Sequence, residues 1–178
     1  MKNMKRIAIM FVSVVLAAAA FVGCGATEKE NDALSGSMKI VIAADDSAQA
    51  TVISADLGGF TSGDSLMDVI NGLVKEGKIC YKGTNGVYGT YLTALGVPVK
   101  NGESVSDSYI LEENAEEGKY LYTYTSVDAD KLETKPNSEY PAKTVLFEGQ
   151  TLTESMNGVS KMSVCDGAVV YFTYVIFG

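Results

Sequence analysis

Residues 168–177 read Ala-Val-Val-Tyr-Phe-Thr-Tyr-Val-Ile-Phe, apolar at almost every position. A strand with one wet face alternates apolar and polar side chains. An unbroken apolar run needs cover on both faces, as a strand does in the middle of a sheet. Asp166-Gly167 supplies a turn just before it. The run therefore predicts a central strand, and the rest of the chain must provide neighbours and cover for it.

The candidate neighbours are short. Residues 39–44 form an apolar run, Asp45-Asp46-Ser47 breaks it, and residues 51–57 alternate loosely around Val52 and Ile53. Together they predict a hairpin. Residues 91–97 read as a strand ending at Pro98, and residues 143–152 as a strand or hairpin. Residues 120–127 alternate well, with Tyr120, Tyr122 and Tyr124 on one face and Leu121, Thr123, Thr125 and Val127 on the other.

Only residues 65–77 predict a helix. Leu66, Met67, Ile70, Leu73 and Val74 recur at helical spacing and make one apolar face. Ser65 and Asp68 fit a capping box, and Gly77 stands where a left-handed C-terminal residue belongs. Gly72 lies inside the helix and points to a close approach by the sheet. A first hairpin, one helix and a closing strand beside the first describe an α+β fold, a β-grasp-like mixed sheet with one main helix packed on it.

The N-terminus reads as an address. Residues 1–6 carry Lys2, Lys5 and Arg6, and residues 7–22 are apolar except for Ser13. This is the pattern of a secretory signal peptide, too short to cross a bilayer comfortably. Phe21-Val22-Gly23-Cys24 follows and resembles a bacterial lipobox, with Cys24 as the lipidated residue. Two acyl chains anchor stably where one is marginal, at about 0.8 kcal/mol per buried CH₂. After Cys24 comes a polar stretch whose single large apolar side chain is Leu34. The expected organisation is a signal peptide over 1–23, a flexible stalk over 24–37 and a folded domain over 38–178. The folded part would stand outside the cytoplasm, tethered to the lipid bilayer through acylated Cys24.

Charge and residue content narrow the chemistry. Residues 24–178 hold 11 lysines, no arginine and 22 acids, a net charge of −11. That balance offers no basic stripe for nucleic acid. The chain has no histidine, which removes the commonest general base, Ser-His and Cys-His nucleophile pairs and histidine zinc sites. No cofactor and no metal are expected. Glu112, Glu113, Glu116 and Glu117 form an acidic run that reads as solvated surface, since a calcium loop needs fixed ligand spacing and a turn glycine. Cys80 and Cys165 remain. In an exported domain they could form a disulfide, or both could be small buried thiols.

Three segments resemble the bacterial relatives of the C-terminal domain of transcobalamin and intrinsic factor, surface domains of unknown function often found on lipoproteins. Gly63-Asp64-Ser65-Leu66-Met67-Asp68-Val69-Ile70 resembles the family's helix entry. Gly89-Thr90-Tyr91-Leu92-Thr93-Ala94-Leu95-Gly96-Val97 resembles its Tyr-x-Thr-x-x-Gly strand, and residues 158–170 its closing element. The resemblance spans roughly residues 38–177. The family's Trp and Asn-Gly loop have no counterpart in residues 120–127, and Ala168 stands where an acidic turn residue is expected. The resemblance implies a surface module, with a corrinoid as a candidate ligand held without an imidazole on cobalt.

Three functions fit these residues. The first is a non-catalytic surface module that contacts an unknown surface protein or small ligand. The second is a carrier for a corrinoid-like molecule, with Tyr88, Tyr91, Tyr120, Tyr122 and Tyr124 lining the site. An enzyme is the third and is not expected, since no paired-carboxylate or nucleophile motif is recognisable; it would require a concave site with two carboxylates or a Tyr–Lys or Lys–Ser pair in reach.

Overall fold

The computed structural model describes residues 32–44, 49–102, 104–135 and 138–176. The leader, Cys24 and the start of the stalk lie outside the described residues. In chain order the elements are β1 (Ser37–Ile42), β2 (Thr51–Asp56), α1 (Leu66–Lys75), β3 (Cys80–Gly86), β4 (Gly89–Gly96), β5 (Val99–Asn101), β6 (Ser104–Ser106), β7 (Tyr109–Glu112), β8 (Lys119–Thr125), β9 (Thr144–Phe147), β10 (Gln150–Glu154) and β11 (Val169–Ile176). Among the described residues this is an α+β arrangement, mostly mixed sheet with one α-helix.

The main sheet has the order β2-β1-β11-β8-β10-β9. β1 and β2 form the expected antiparallel hairpin, and β11 runs parallel to β1 on its other side, with Lys39 opposite Val169 and Ile42 opposite Phe172. β8 pairs antiparallel with β11 from Val170 opposite Thr125 to Ile176 opposite Lys119. The apolar run is thus an interior strand, and its two faces explain its composition. Val170 and Phe172 join Met38, Ile40 and Ile42 in the larger core on one face. Val169 and Tyr171 join Val41, Ala43, Tyr124 and Leu152 in a smaller core on the other. Each fully buried Val or Phe contributes about 1.5–3 kcal/mol relative to exposure.

Different elements cover the two faces. On the first lie α1, through Leu66, Val69, Ile70 and Leu73, and a second sheet of order β3-β4-β7, through Leu92, Leu95 and Leu111. On the second lies the β9–β10 hairpin. β10 pairs with β8 only at Thr153 and Glu154. The hairpin then leaves the sheet plane, so that Phe147 meets the Tyr171 ring at 5.9 Å and Glu148, in the turn, pairs with Lys39 of β1. Glu148 and Gly149 both have positive φ, 48° and 80°, as a tight two-residue hairpin turn requires.

The helix forms where its caps lie. The Asp68 carboxylate accepts from the Ser65 N–H at 2.8 Å and the Ser65 hydroxyl at 2.6 Å. The first two helical N–H groups, of Leu66 and Met67, donate to the carbonyls of Met162 and Val159, each at 3.0 Å. These bonds satisfy donors that a helix start leaves without partners. At the other end Gly77 has φ +68°, its N–H donates to the Val74 carbonyl, and the Lys78 N–H donates to the Leu73 carbonyl, a Schellman closure. Gly72 does admit a close approach, but by the Phe60 ring of a loop rather than by the sheet; a Cβ there would lie 3.2 Å from it.

The structure corrects one expectation and decides another point that was open. The body begins before residue 38. The carbonyl of Asp32 accepts from the Ser62 N–H, the Leu34 N–H donates to the Phe60 carbonyl, and Leu34 packs on the larger core. The lone apolar side chain of the expected stalk therefore serves the fold. Of the two alternatives left open for Cys80 and Cys165, the structure takes the second: they are not bridged. Cys80 is buried at the head of β3 with its thiol directed at the Ser108 carbonyl, 3.6 Å away, whereas Cys165 sits in the turn leading to β11 of the other sheet.

β3, β5, β6 and β7 carry no clear strand signal. β3 reads Cys-Tyr-Lys-Gly-Thr-Asn-Gly and is exposed over most of its length. It is a strand because β4 pairs with it along its whole length.

Candidate ligand cleft

β8 has two edges with different fates. Its inner edge is fully paired to β11, but β10 accompanies the outer edge only at Tyr124 and Thr125. Beyond that point the outer edge opens into a cleft of about 440 Å³. Its floor is Tyr120, Leu121, Tyr122 and Thr123; one wall is Tyr91 of β4 with Glu113; the other is Glu154, Ser155 and Asn157.

Both walls are fixed by hydrogen bonds to backbone. The Leu121 N–H donates to Glu113 Oε1 at 3.1 Å, and the Glu113 N–H donates to the Thr93 carbonyl at 2.8 Å. On the far side the Ser155 N–H donates to the Thr123 carbonyl at 2.8 Å. The Lys143 N–H donates to Glu154 Oε2 at 3.2 Å. The Asn157 side-chain amide donates to Asp130 Oδ1 at 3.1 Å, and the Ser163 N–H donates to Asp130 Oδ2 at 2.8 Å. Asp130 is only 2 % exposed, so this carboxylate is an interior post for the loop that forms the wall. The same loop is stitched to the β3–β4 hairpin, where the N–H groups of Gly158 and Val159 donate to the carbonyls of Tyr88 and Thr90. A Cβ on Gly158 would stand 2.5 Å from the Thr90 carbonyl oxygen, so only glycine permits this approach.

Of the five tyrosines singled out from the sequence, the structure brings Tyr91, Tyr120 and Tyr122 into the cleft. Tyr88 does not line it; it is largely exposed at the tip of the β3–β4 hairpin. Tyr124 shares a strand face with Tyr120 and Tyr122 but is buried in the smaller core, edge-on to Tyr171 at 6.4 Å. The alternation of residues 120–124 was legible, while the fate of each ring depends on the β9–β10 hairpin, which covers Tyr124. Glu154, Ser155 and Asn157 carried no signal of a site, and Glu113 was one acid among four. Its neighbours in the run have other roles: Glu112 pairs with Lys82, Glu117 pairs with Lys119, and Asn114 caps the 3₁₀ turn at Ala115–Glu117.

The charged side chains that line the cleft are of one sign, two carboxylates and no cationic side chain. Burial, and then the charge of Glu154, push the Tyr122 phenol above its ordinary range. The Lys143 ammonium stands 4.9 Å from the centre of the Tyr122 ring, within cation–π distance.

A smaller cleft of about 260 Å³ lies between the β9–β10 turn, β1 and the turn into β11. Its Lys39 and Glu148 are matched to each other at 2.5 Å. Among the described residues no group of three Cys, Asp or Glu side chains converges as a metal site, and no helix is long and apolar enough to cross a membrane.

No family model matches the chain, and no curated protein matches it. Among solved structures it is similar to a protein from Ruminococcus gnavus ATCC 29149 described as a "putative metal binding protein". The two are 14% identical with a TM-score of 0.44, over 80% of this chain and 99% of that one.

Proposed function

We propose that this protein is a membrane-anchored extracellular lipoprotein whose folded body is a non-catalytic binding module, with the cleft beside β8 as its binding site. The observation that carries the binding reading is the convergence of Tyr91, Tyr120 and Tyr122 with Glu113, Glu154 and Asn157 in one concavity. Aromatic faces with a few polar groups at the rim are the usual composition of a small-molecule site. Support for the anchor comes from the basic start, the apolar run and Cys24. The body's topology is β-grasp-like in this reading: a β1–β2 hairpin, a helix across it, and a last strand parallel to the first. That order of elements is in keeping with the resemblance to the transcobalamin C-terminal domain.

Hydrolysis is a second reading, because Glu113 and Glu154 share the cleft. Each carboxylate, however, already accepts a backbone N–H and holds a wall in place. The binding reading is therefore preferred, and turnover of any glycoside by the purified protein would overturn it.

Two experiments test the proposal. Changing Cys24→Ala should release the protein from the membrane or leave it as uncleaved precursor; unchanged retention and processing would remove the anchor. For the site, the full chain in non-ionic detergent is titrated calorimetrically with cobalamin, neutral saccharides and small amines. Heat from any one of them that Tyr120→Leu abolishes supports the cleft. An unshifted cobalamin spectrum eliminates the corrinoid, and silence across all three classes removes the site.

A further inference from the structure

We infer that the β8 cleft selects a small organic ammonium ion, held against Tyr91 and Tyr120 between the carboxylates of Glu113 and Glu154. The inference rests on reading the cleft as the ligand site and adds the class of ligand. The ring of a tyrosine carries negative charge on its faces, so a cation placed over it is attracted, most strongly where water is displaced. Three tyrosines line this one concavity; Tyr122 already carries the Lys143 ammonium, and the other two, Tyr91 and Tyr120, are 41% and 37% exposed, open enough to meet a ligand.

The carboxylates select the sign of the ligand. Glu113 and Glu154 stand on opposite walls, and none of the nine lining residues is a lysine or arginine. Each carboxylate engages one oxygen with a backbone N–H, and an ionised carboxylate accepts about four hydrogen bonds in all. An anion entering here would meet two like charges and no cationic side chain among the lining residues, the Lys143 ammonium standing outside them over the Tyr122 ring. The surroundings act in the same direction, since residues 24–178 carry a net charge of −11, which concentrates cations near the surface.

The molecule itself shows an ammonium in this role. The Lys143 Nζ lies over Tyr122 at 4.9 Å, so that ring already works as a cation–π partner beside the cleft. An alkylated ammonium suits the remaining surface better than an inorganic ion does. Its charge is spread over methyl groups, it is cheaply dehydrated, and its envelope packs on rings. A hard metal ion instead needs six or more oxygens at short range, and no cluster of metal-binding side chains exists among the described residues. A volume of about 440 Å³ lies within the range of small-molecule sites.

The test compares choline with 3,3-dimethylbutan-1-ol, its neutral carbon isostere of the same shape. Each is titrated calorimetrically into the full chain in non-ionic detergent. Choline should bind saturably and about tenfold more tightly than the isostere. Raising salt from about 0.05 to about 0.5 M should weaken choline severalfold. Glu113→Gln, which keeps an acceptor for the Leu121 N–H, and Tyr120→Leu, at a half-open position, should each weaken choline about five- to tenfold, with an unchanged circular dichroism spectrum. Equal binding of the isostere, or binding of a neutral saccharide but not choline, would overturn the cation inference and leave the cleft as a binding site. Choline binding that both substitutions leave unchanged would place the cation elsewhere and overturn the inference. Silence with every probe would remove the inference and the binding site together.

Discussion

Replacing Asp130 should loosen one wall of the cleft and cost a large share of the stability of the body. The carboxylate is 2 % exposed and accepts two hydrogen bonds, from the Asn157 amide at 3.1 Å and the Ser163 N–H at 2.8 Å. In Asp130→Ala both donors lose their acceptor. Hydrogen bonds to a charged group contribute about 1.5–3 kcal/mol each, and a stranded buried donor costs about 1–3 kcal/mol. Relief from burying a carboxylate offsets part of this, leaving a net loss of about 2–4 kcal/mol. In Asp130→Asn one oxygen remains, but the new NH₂ faces the other donor, so about half of that loss is expected. With a urea dependence of about 2 kcal/mol per molar, the unfolding midpoint of the alanine variant should fall by about 1–2 M. Circular dichroism in urea reads this. Amide exchange adds a local readout, because the Ser163 N–H should lose protection before residues of β11 do. A midpoint within about 0.3 M of the parent, or a Ser163 amide as protected as before, would refute the assignment of Asp130 as the post of this wall.

Gly96→Ala should destabilise by at least about 2 kcal/mol in the same assay, since its Cβ would sit 1.9 Å from the Ser108 carbonyl oxygen and 2.7 Å from the Tyr109 Cα; a neutral effect would mean that β4 and β7 are not so close. The hydrogen bonds from Ser65 hold the Asp68 carboxyl below its ordinary value of 3.8. A carboxyl depressed in the folded state stabilises fully above the unfolded value and loses that contribution as the pH falls through the folded one. Asp68→Asn should therefore flatten the loss of stability below pH 3.8, and an unchanged acid profile would contradict the cap. Unfolding the Cys24→Ala variant without reductant should expose two thiols, Cys80 and Cys165, to a thiol reagent; finding none would restore the disulfide. In the folded protein Cys80 should react slowly, because burial covers it and pushes its thiol pKa up.

What the sequence determined alone is whatever depends on neighbours a few residues apart. Val169 to Phe172 are apolar without interruption, which already requires an interior strand, and β11 lies between β1 and β8. Ser65, Asp68 and Gly77 mark the ends of α1, because caps are made by groups within one turn of the terminus. Tertiary structure decided the rest. β3 exists through its partner β4, and its own residues carry no alternation to announce it. Tyr120, Tyr122 and Tyr124 share one strand face, yet a hairpin that leaves the sheet after two paired residues buries the last and leaves the first at a cleft. Tyr91, Glu113 and Asn157 become neighbours only when β4, the segment after β7 and the loop after β10 settle around the open edge of β8. Side-chain periodicity reports which way a residue faces, whereas the covering of that face is fixed by pairings between segments distant in the chain, and these leave no mark on local spacing.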